Sequence, residues 1–171
     1  MLQNKKSILI ILLIIVVICF GIWYVKSDIP ELQMNAEAGV CDLTETDLDK
    51  QYVRVAGQWQ TVSDEFLTPE EFERSENIVD GEPSADAEYF TTRIRLVVPG
   101  GKTYALIWDS IDYADRIYIN GQWVQDVGTP GKTAAEEVPL TSVVYHTATP
   151  QNGAIEIVQQ GSGFVDRKSV V

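Results

Sequence analysis

The segment YALIWDSIDYADRIYINGQWVQD, residues 104–126, decides the fold of this 171-residue chain. Its first part, residues 104–108, is apolar on both faces of an extended strand, as in a central strand of a two-layer β structure. Its second part alternates on either side of Asn120-Gly121, a dipeptide typical of two-residue type I′ turns. The pattern predicts an antiparallel hairpin over residues 116–125, preceded by a loop over residues 109–115.

Short extended segments separated by turns make up most of the remaining chain. Alternation of apolar and polar residues predicts four further strands, at residues 51–62, 89–99, 140–147 and 154–160. Thr68 and Pro69 predict a helix of one or two turns, because Thr68 can cap the backbone N–H of Glu71 and proline suits the first helical position. Many short strands with little helix predict an all-β fold, a β-sandwich rather than an α/β fold.

An apolar run near the N-terminus predicts one transmembrane helix. Residues 7–25 contain no charged side chain, and as a helix they would span about 28 Å, close to the ~30 Å of a bilayer core. Lys5 and Lys6 precede the run and Lys26 alone follows it. The positive-inside rule therefore places residues 1–6 in the cytoplasm and the rest of the chain outside the plasma membrane. A cleaved signal peptide is the alternative, but no small-x-small cleavage site lies directly after the run, and Ala36-Glu37-Ala38 lies about ten residues too far downstream.

Negative charge is concentrated next to this predicted anchor. Residues 28–88 contain 17 acidic and 3 basic side chains, whereas residues 89–171 contain 8 and 7. We interpret residues 26–50 as an acidic juxtamembrane linker and residues 51–171 as the extracellular β-sandwich. Within the linker, a short apolar/polar alternation at residues 39–48 leaves a first edge strand and a turn as the alternative. Such a surface repels nucleic acid, so no nucleic-acid partner is expected, and attraction of a cationic ligand is the alternative to a merely solvated acidic face.

Three groups of residues resemble a known family when they are taken in order. GVCDLTETDL, VAGQWQ and FLTPEEF come first, YFTTRIRLVVPGGKTYALIWDSIDYADRIYINGQWVQDVGTPGK contains the hairpin, and AIEIVQQGSGFVDRK follows. Together they resemble the extracellular sensing domain of bacterial seven-transmembrane receptors with diverse intracellular signalling modules, over about residues 39–168. The central group also resembles the sugar-binding jelly roll of family-two glycoside hydrolases, in which an Asn-Gly hairpin recurs.

The resemblance implies a galactose-binding-like jelly roll that senses a small extracellular ligand, with carbohydrate as the expected class. The family's receptors continue into seven membrane helices and an output module, and they would form receptor oligomers. We therefore expect the chain to be the N-terminal fragment of such a receptor, with the last jelly-roll strand short or absent. A stand-alone relative with one anchor is the alternative. The rival function is a protein–protein or structural ectodomain without a small ligand.

The sequence does not indicate an enzyme. His146 is the sole histidine, so no serine–histidine–acid triad is indicated. Carboxylates are abundant, but nothing in their spacing holds two of them across a glycosidic bond. No cofactor or metal site is predicted, although the oxygen-rich run Asp109, Asp112 and Asp115 leaves a structural calcium ion as an alternative.

The candidate ligand contacts are aromatic and planar polar side chains. Sugars stack on Trp and Tyr rings, and their hydroxyl groups donate hydrogen bonds to Asp or Asn and accept them from Asn or Arg. The predicted ligand-binding residues lie around the hairpin: Trp123, Tyr113, Arg116, Asp109, Trp108 and Tyr118. A place in the core is the alternative for Trp108, and a solvated surface is the alternative for Arg116 and Tyr118. The carbohydrate hypothesis depends most on Trp123 and Tyr113.

Overall fold

A computed structural model describes residues 11, 13–17, 30–110 and 113–164. Strands dominate these residues. The described strands are, in chain order, β1 (Glu31–Ala36), β2 (Val40–Asp42), β3 (Tyr52–Gly57), β4 (Gln60–Ser63), β5 (Val79–Asp80), β6 (Tyr89–Val97), β7 (Tyr104–Ser110), β8 (Ala114–Ile119), β9 (Gln122–Val127), β10 (Ser142–Ala148) and β11 (Ala154–Ser162). A short helix, α1 (Pro69–Phe72), lies between β4 and β5.

The anchor predicted over residues 7–25 falls mostly outside the described residues. Residues 13–17 are helical, and their apolar side chains are 50% to 65% exposed. Within the described ranges, no helix is both long enough and apolar enough to cross a membrane. The chain divides into two compact units, of which the larger comprises Gln33–Thr46 and Arg54–Val171. The candidate functional site belongs to this larger unit.

The main feature of the larger unit is a seven-stranded sheet with the order β5-β4-β6-β11-β8-β9, to which β2 adds beside β6. Strand β11 pairs with β6 along its whole length, so β4 and β2 share the opposite edge of β6. Strand β4 runs antiparallel beside residues 90–93, and β2 runs parallel beside residues 95–97. A segment far upstream in the sequence thus completes the edge of a central strand.

The two faces of this sheet differ in character. Ile94, Ile157 and Ile119 lie opposite one another on β6, β11 and β8, and all three are buried. We call this side the core face. The alternate positions on the same strands form the outer face, where Arg93 lies opposite Val158. Helix α1 covers part of the outer face, since the buried Phe72 ring packs 4.9 Å from the Arg93 guanidinium carbon.

Strands β7 and β10 form a separate two-stranded sheet in an antiparallel register. Leu106 and Val144 are buried on one side of it, whereas Ile107 and Tyr145 on the other side are 63% and 70% exposed. Strands β1 and β3 form a second small sheet. The described chain is therefore all-β and sandwich-like, as the sequence predicted.

Two local predictions are confirmed in detail. The hairpin is formed by β8 and β9, and both turn residues have positive φ, 50° at Asn120 and 78° at Gly121. Helix α1 starts with the predicted cap. The Thr68 hydroxyl accepts from the Glu71 N–H, and the Glu71 carboxylate accepts from the Thr68 N–H. Both features depend on residues close in sequence, which explains why the sequence alone was sufficient.

Two predicted boundaries are wrong, and a third stretch contains more strand than was predicted. Residues 26–50 contain β2, inside the stretch 39–48 where an edge strand was the alternative, and also β1, and they bury Cys41 and Leu43. The single strand predicted over residues 51–62 is two strands, β3 and β4, that pair in different sheets. The loop predicted over residues 109–115 is too long at both ends, since β7 extends to Ser110 and β8 starts at Ala114. Each error concerns pairing with distant strands, which local alternation does not encode.

Candidate functional site

A β-bulge in the hairpin brings the candidate residues onto one face. Ile117 pairs with Gln125, but the next pair is Tyr118 with Trp123, so Val124 has no cross-strand partner. In a regular strand, residues three apart point to opposite faces. The extra residue restores Trp123 and Asp126 to the same face, next to Tyr118 and Arg116. These four residues form what we call the hairpin platform.

The hairpin platform is held together by a charged hydrogen-bond network. Arg116 donates to both oxygens of Asp126, from Nε to Oδ1 at 2.9 Å and from Nη2 to Oδ2 at 2.8 Å. The indole Nε1 of Trp123 donates to Oδ1 of the same carboxylate at 2.8 Å. The Arg116 hydrogen bond is the main reason that the pKa of Asp126 lies below its ordinary value. Bidentate pairs of this kind fix geometry as well as charge.

The network leaves an aromatic surface open to solvent. Trp123 is 60% exposed although its ring nitrogen is anchored. Such an indole is held in one orientation before a ligand arrives, which lowers the entropy cost of stacking on it. Arg116 and Asp126 remain partly exposed beside it, with side-chain exposures of 43% and 28%. The hairpin platform therefore combines a fixed ring with donors and acceptors at its edge.

A polar cleft of about 280 Å³ lies beside the hairpin turn. On the strand side, Arg95 of β6 lies directly opposite Glu156 of β11 on the outer face. Asn120 is locked at the turn because its amide donates to the Thr149 carbonyl at 3.0 Å and accepts from the Glu156 N–H at 3.0 Å. The polar side chains lining the cleft are Glu70, Glu73, Arg95, Asn120, Gln151, Asn152 and Glu156.

Helix α1 supplies the other wall of the cleft, and Arg93 fixes it there. Arg93 pairs with Glu73 at 2.5 Å and donates to Gln60 from Nε at 3.1 Å and from Nη2 at 2.6 Å. Its side chain is only 10% exposed, so these partners satisfy a nearly buried charge. Glu73 is 60% exposed, which leaves it available to a ligand in the cleft.

The structure separates the six residues predicted to bind a ligand. Arg116, Tyr118 and Trp123 come together in the hairpin platform. Tyr113 precedes β8 and lies five residues from Tyr118, about 17 Å away along an extended strand. Trp108 lies in β7, opposite Val144 in the two-stranded sheet, and is partly buried. Asp109 is a residue of β7, and its side chain falls outside the described ones.

Sequence reasoning missed Asp126, Asn120 and the Arg95–Glu156 pair. Asp126 is three residues from Trp123, and regular alternation would place the two on opposite faces. Only the bulge makes them neighbours, and no residue type at Val124 signals it. Arg95 and Glu156 are 61 positions apart in sequence, and only the β6–β11 register brings them together.

The three carboxylates considered as alternative calcium ligands do not form a cluster among the described residues. The Asp115 carboxylate is buried on the core face, where it accepts from Ser110 Oγ at 2.5 Å and from Gln159 Nε2 at 2.8 Å. Asp112 lies outside the described residues. Within those residues, no group of three or more His, Cys, Asp or Glu side chains is arranged to hold a metal ion. The prediction of no metal site is untested, and a structural calcium ion stays only the alternative.

Comparisons with known proteins leave the family undecided. No family model, curated protein or solved structure matches this chain. The resemblance to receptor sensing domains therefore stays a prediction that depends on the quoted segments.

Proposed function

We propose that this chain is the membrane-anchored extracellular sensing domain of a bacterial signal-transduction receptor, and that it binds a small carbohydrate on the outer face of its main sheet. The observation that carries this proposal is the hairpin platform beside the polar cleft. A fixed, exposed indole offers a stacking surface, and the Arg116–Asp126 pair offers donors and acceptors at its edge. Shallow sites of this composition suit sugars, whose apolar ring face and hydroxyl groups need both.

The remaining parts of the proposal follow from the sequence and the coarse fold. The uncharged run over residues 7–25, with Lys5 and Lys6 before it, would anchor the domain with its N-terminus in the cytoplasm. We infer that the sandwich-like fold is a galactose-binding-like jelly roll, because its long central strands and Asn-Gly hairpin agree with the resemblance. Ligand occupancy would then be passed to membrane helices. No catalytic step is assigned to the site.

The experiment is a glycan panel on the full chain, solubilised in a polyoxyethylene detergent that contains no sugar. We expect one sugar class to raise the melting temperature. Trp123→Ala should abolish that rise while the unliganded melting temperature stays close to that of the wild type. Tyr145→Ala, which removes an exposed aromatic ring from the other sheet, is the matched control and should retain the rise. A full rise in Trp123→Ala would contradict the proposed site.

A specific observation favours the rival function of a protein–protein module. Ile107, Val143 and Tyr145 form an exposed apolar strip on the β7–β10 sheet, with exposures of 63%, 47% and 70%. Exposed apolar patches mark interaction surfaces when they are contiguous. The glycan panel distinguishes the two functions. No thermal shift with any sugar, together with a sedimentation coefficient that falls in Tyr145→Ser, would support the rival.

A further inference from the structure

A second cavity lies far from the hairpin platform along the β8 strand. It has a volume of about 480 Å³ and lies where β6 and β8 begin and β11 ends. Two aromatic rings, Phe90 and Tyr113, contribute to its lining together with Gly163. The remaining lining residues belong to the loop before β6 and include Glu82 and Glu88. This volume falls within the range of small-molecule sites, about 300–1,000 Å³.

The two rings are fixed by close approach to backbone. A Cβ atom on Gly163 would lie 2.5 Å from Cε1 of Tyr113, and a Cβ atom on Gly161 would lie 2.7 Å from Cζ of Phe90. Each ring therefore occupies the space that the Cβ atom of any other residue at Gly163 or Gly161 would need. Tyr113 still leaves 37% of its surface exposed. The two glycines thus leave room for aromatic surface at the cavity.

The acidic loop is also held in place. The Gly163 N–H donates to the Glu88 carbonyl at 2.9 Å, which ties the loop to the end of β11. The Ser84 N–H donates to the Ser63 hydroxyl at 2.9 Å, which ties it to β4. These bonds keep the loop at the same cavity as the rings, and its lining residues Glu82 and Glu88 have exposed side chains.

The charge around the cavity has one sign. No Lys, Arg or His occurs among the described residues that line it. The buried Asp115 lies close behind, since its Oδ1 would be 3.2 Å from a Cβ atom on Gly161. Aromatic faces and carboxylates together attract ammonium groups, through the ring quadrupole and through direct charge pairing.

We propose that this cavity is a binding site for a small organic cation, with its ammonium group between the Tyr113 and Phe90 rings and the carboxylates of Glu82 and Glu88. The site is separate from the proposed sugar site and does not depend on it. Trp123→Ala should leave cation binding unchanged, so the two proposals can fail independently.

The test is calorimetric titration of the full chain in polyoxyethylene detergent with choline and with dimethylbutanol, its neutral carbon isostere. We expect choline to bind and dimethylbutanol to bind at least roughly tenfold more weakly, because only the cation interacts with rings and carboxylates. The affinity for choline should fall as salt is added. Equal affinity for the two compounds, or no binding of choline, would overturn the proposal.

Variants of its lining residues test whether choline binds in this cavity. Glu88→Gln removes one charge with little change in shape and should weaken choline binding by roughly fivefold to tenfold. Tyr113→Leu keeps an apolar contact with Gly163 but removes the π face, and should also weaken it. Asp86→Asn is the matched control, because Asp86 is an exposed carboxylate of the same loop that does not line the cavity. An equal loss in Asp86→Asn would show a general field effect and overturn the assignment.

Discussion

Asp115 is a buried carboxylate, and burial disfavours its charged form. It is 2% exposed, and burial is the main reason that its pKa lies above the ordinary value of 3.8, with the nearby Glu137 charge adding to the rise. Hydrogen bonds from Ser110 and Gln159 oppose this effect without cancelling it. Above pH 3.8 the unfolded chain releases a proton that the folded chain retains. The free energy of unfolding therefore decreases as the pH rises through the folded-state pKa.

We predict that Asp115→Asn raises the free energy of unfolding at neutral pH. The amide removes the buried charge, keeps an oxygen acceptor for Gln159 and adds a donor for Ser110. Urea melts of both proteins at several pH values measure the difference, which should shrink on acidification towards pH 3.8. Asp115→Ala is the control and should lose about 1–3 kcal/mol, because it removes the acceptor of the Gln159 amide and leaves Ser110 with only its 3.4 Å bond to the Tyr113 carbonyl. A less stable Asp115→Asn protein at neutral pH would contradict this account.

The hairpin is the element on which the proposed sugar site depends. Its turn needs a left-handed backbone at Gly121, where φ is 78° and a Cβ atom would have nothing within 4 Å. A side chain at this position would therefore destabilise the fold only through its unfavourable backbone conformation and not through a steric clash. The bulge at Val124 then sets which residues share a face. Turn and bulge together position the hairpin platform.

We predict that Gly121→Ala lowers the free energy of unfolding by about 1 kcal/mol, because a left-handed conformation is costly for any residue with a Cβ atom. Chemical denaturation of the full chain in detergent measures the change. Gly100→Ala is the matched control, because a Cβ atom there would also have open space but no positive φ is required. It should be neutral or slightly stabilising. Equal effects at the two positions would show that the turn conformation is not responsible.

The elements differ in how far the sequence could predict them. The hairpin and the α1 cap were predictable because each depends on residues that lie within a few positions of one another in the sequence: Asn120-Gly121 at the turn, and Thr68-Pro69 at the cap. The partners of β2, β3 and β4 were not predictable, since alternation shows which face is buried and not which strand lies alongside. The same limit applies to the site. Trp123 could be proposed from its residue type, whereas Asp126 required the bulge.

At the scale of the whole molecule, charge and hydropathy predict an orientation. All acidic residues lie after the apolar run at residues 7–25, and Lys5 and Lys6 lie before it. We predict that alkaline phosphatase fused after Val171 is active in a bacterial host, because this enzyme needs the oxidising space outside the cytoplasm. Enzyme activity of whole cells is the measurement. Deleting residues 7–25 should abolish it, and an inactive but well-expressed intact fusion would contradict the orientation.

Strand β2 has a consequence for any attempt to trim the protein to its sandwich. The residues on either side of β2 also bond to β6. The Arg95 N–H donates to the Gly39 carbonyl and the Leu43 N–H donates to the Val97 carbonyl, both at 2.8 Å. A chain that began near residue 50 would keep β6 but lack β2, so the edge of β6 at residues 95–97 would be unpaired. The unpaired N–H and C=O groups of an exposed edge strand can pair with strands of other chains. We therefore expect the stretch that contains β2 to protect the domain against aggregation, and a chain without it to aggregate more readily.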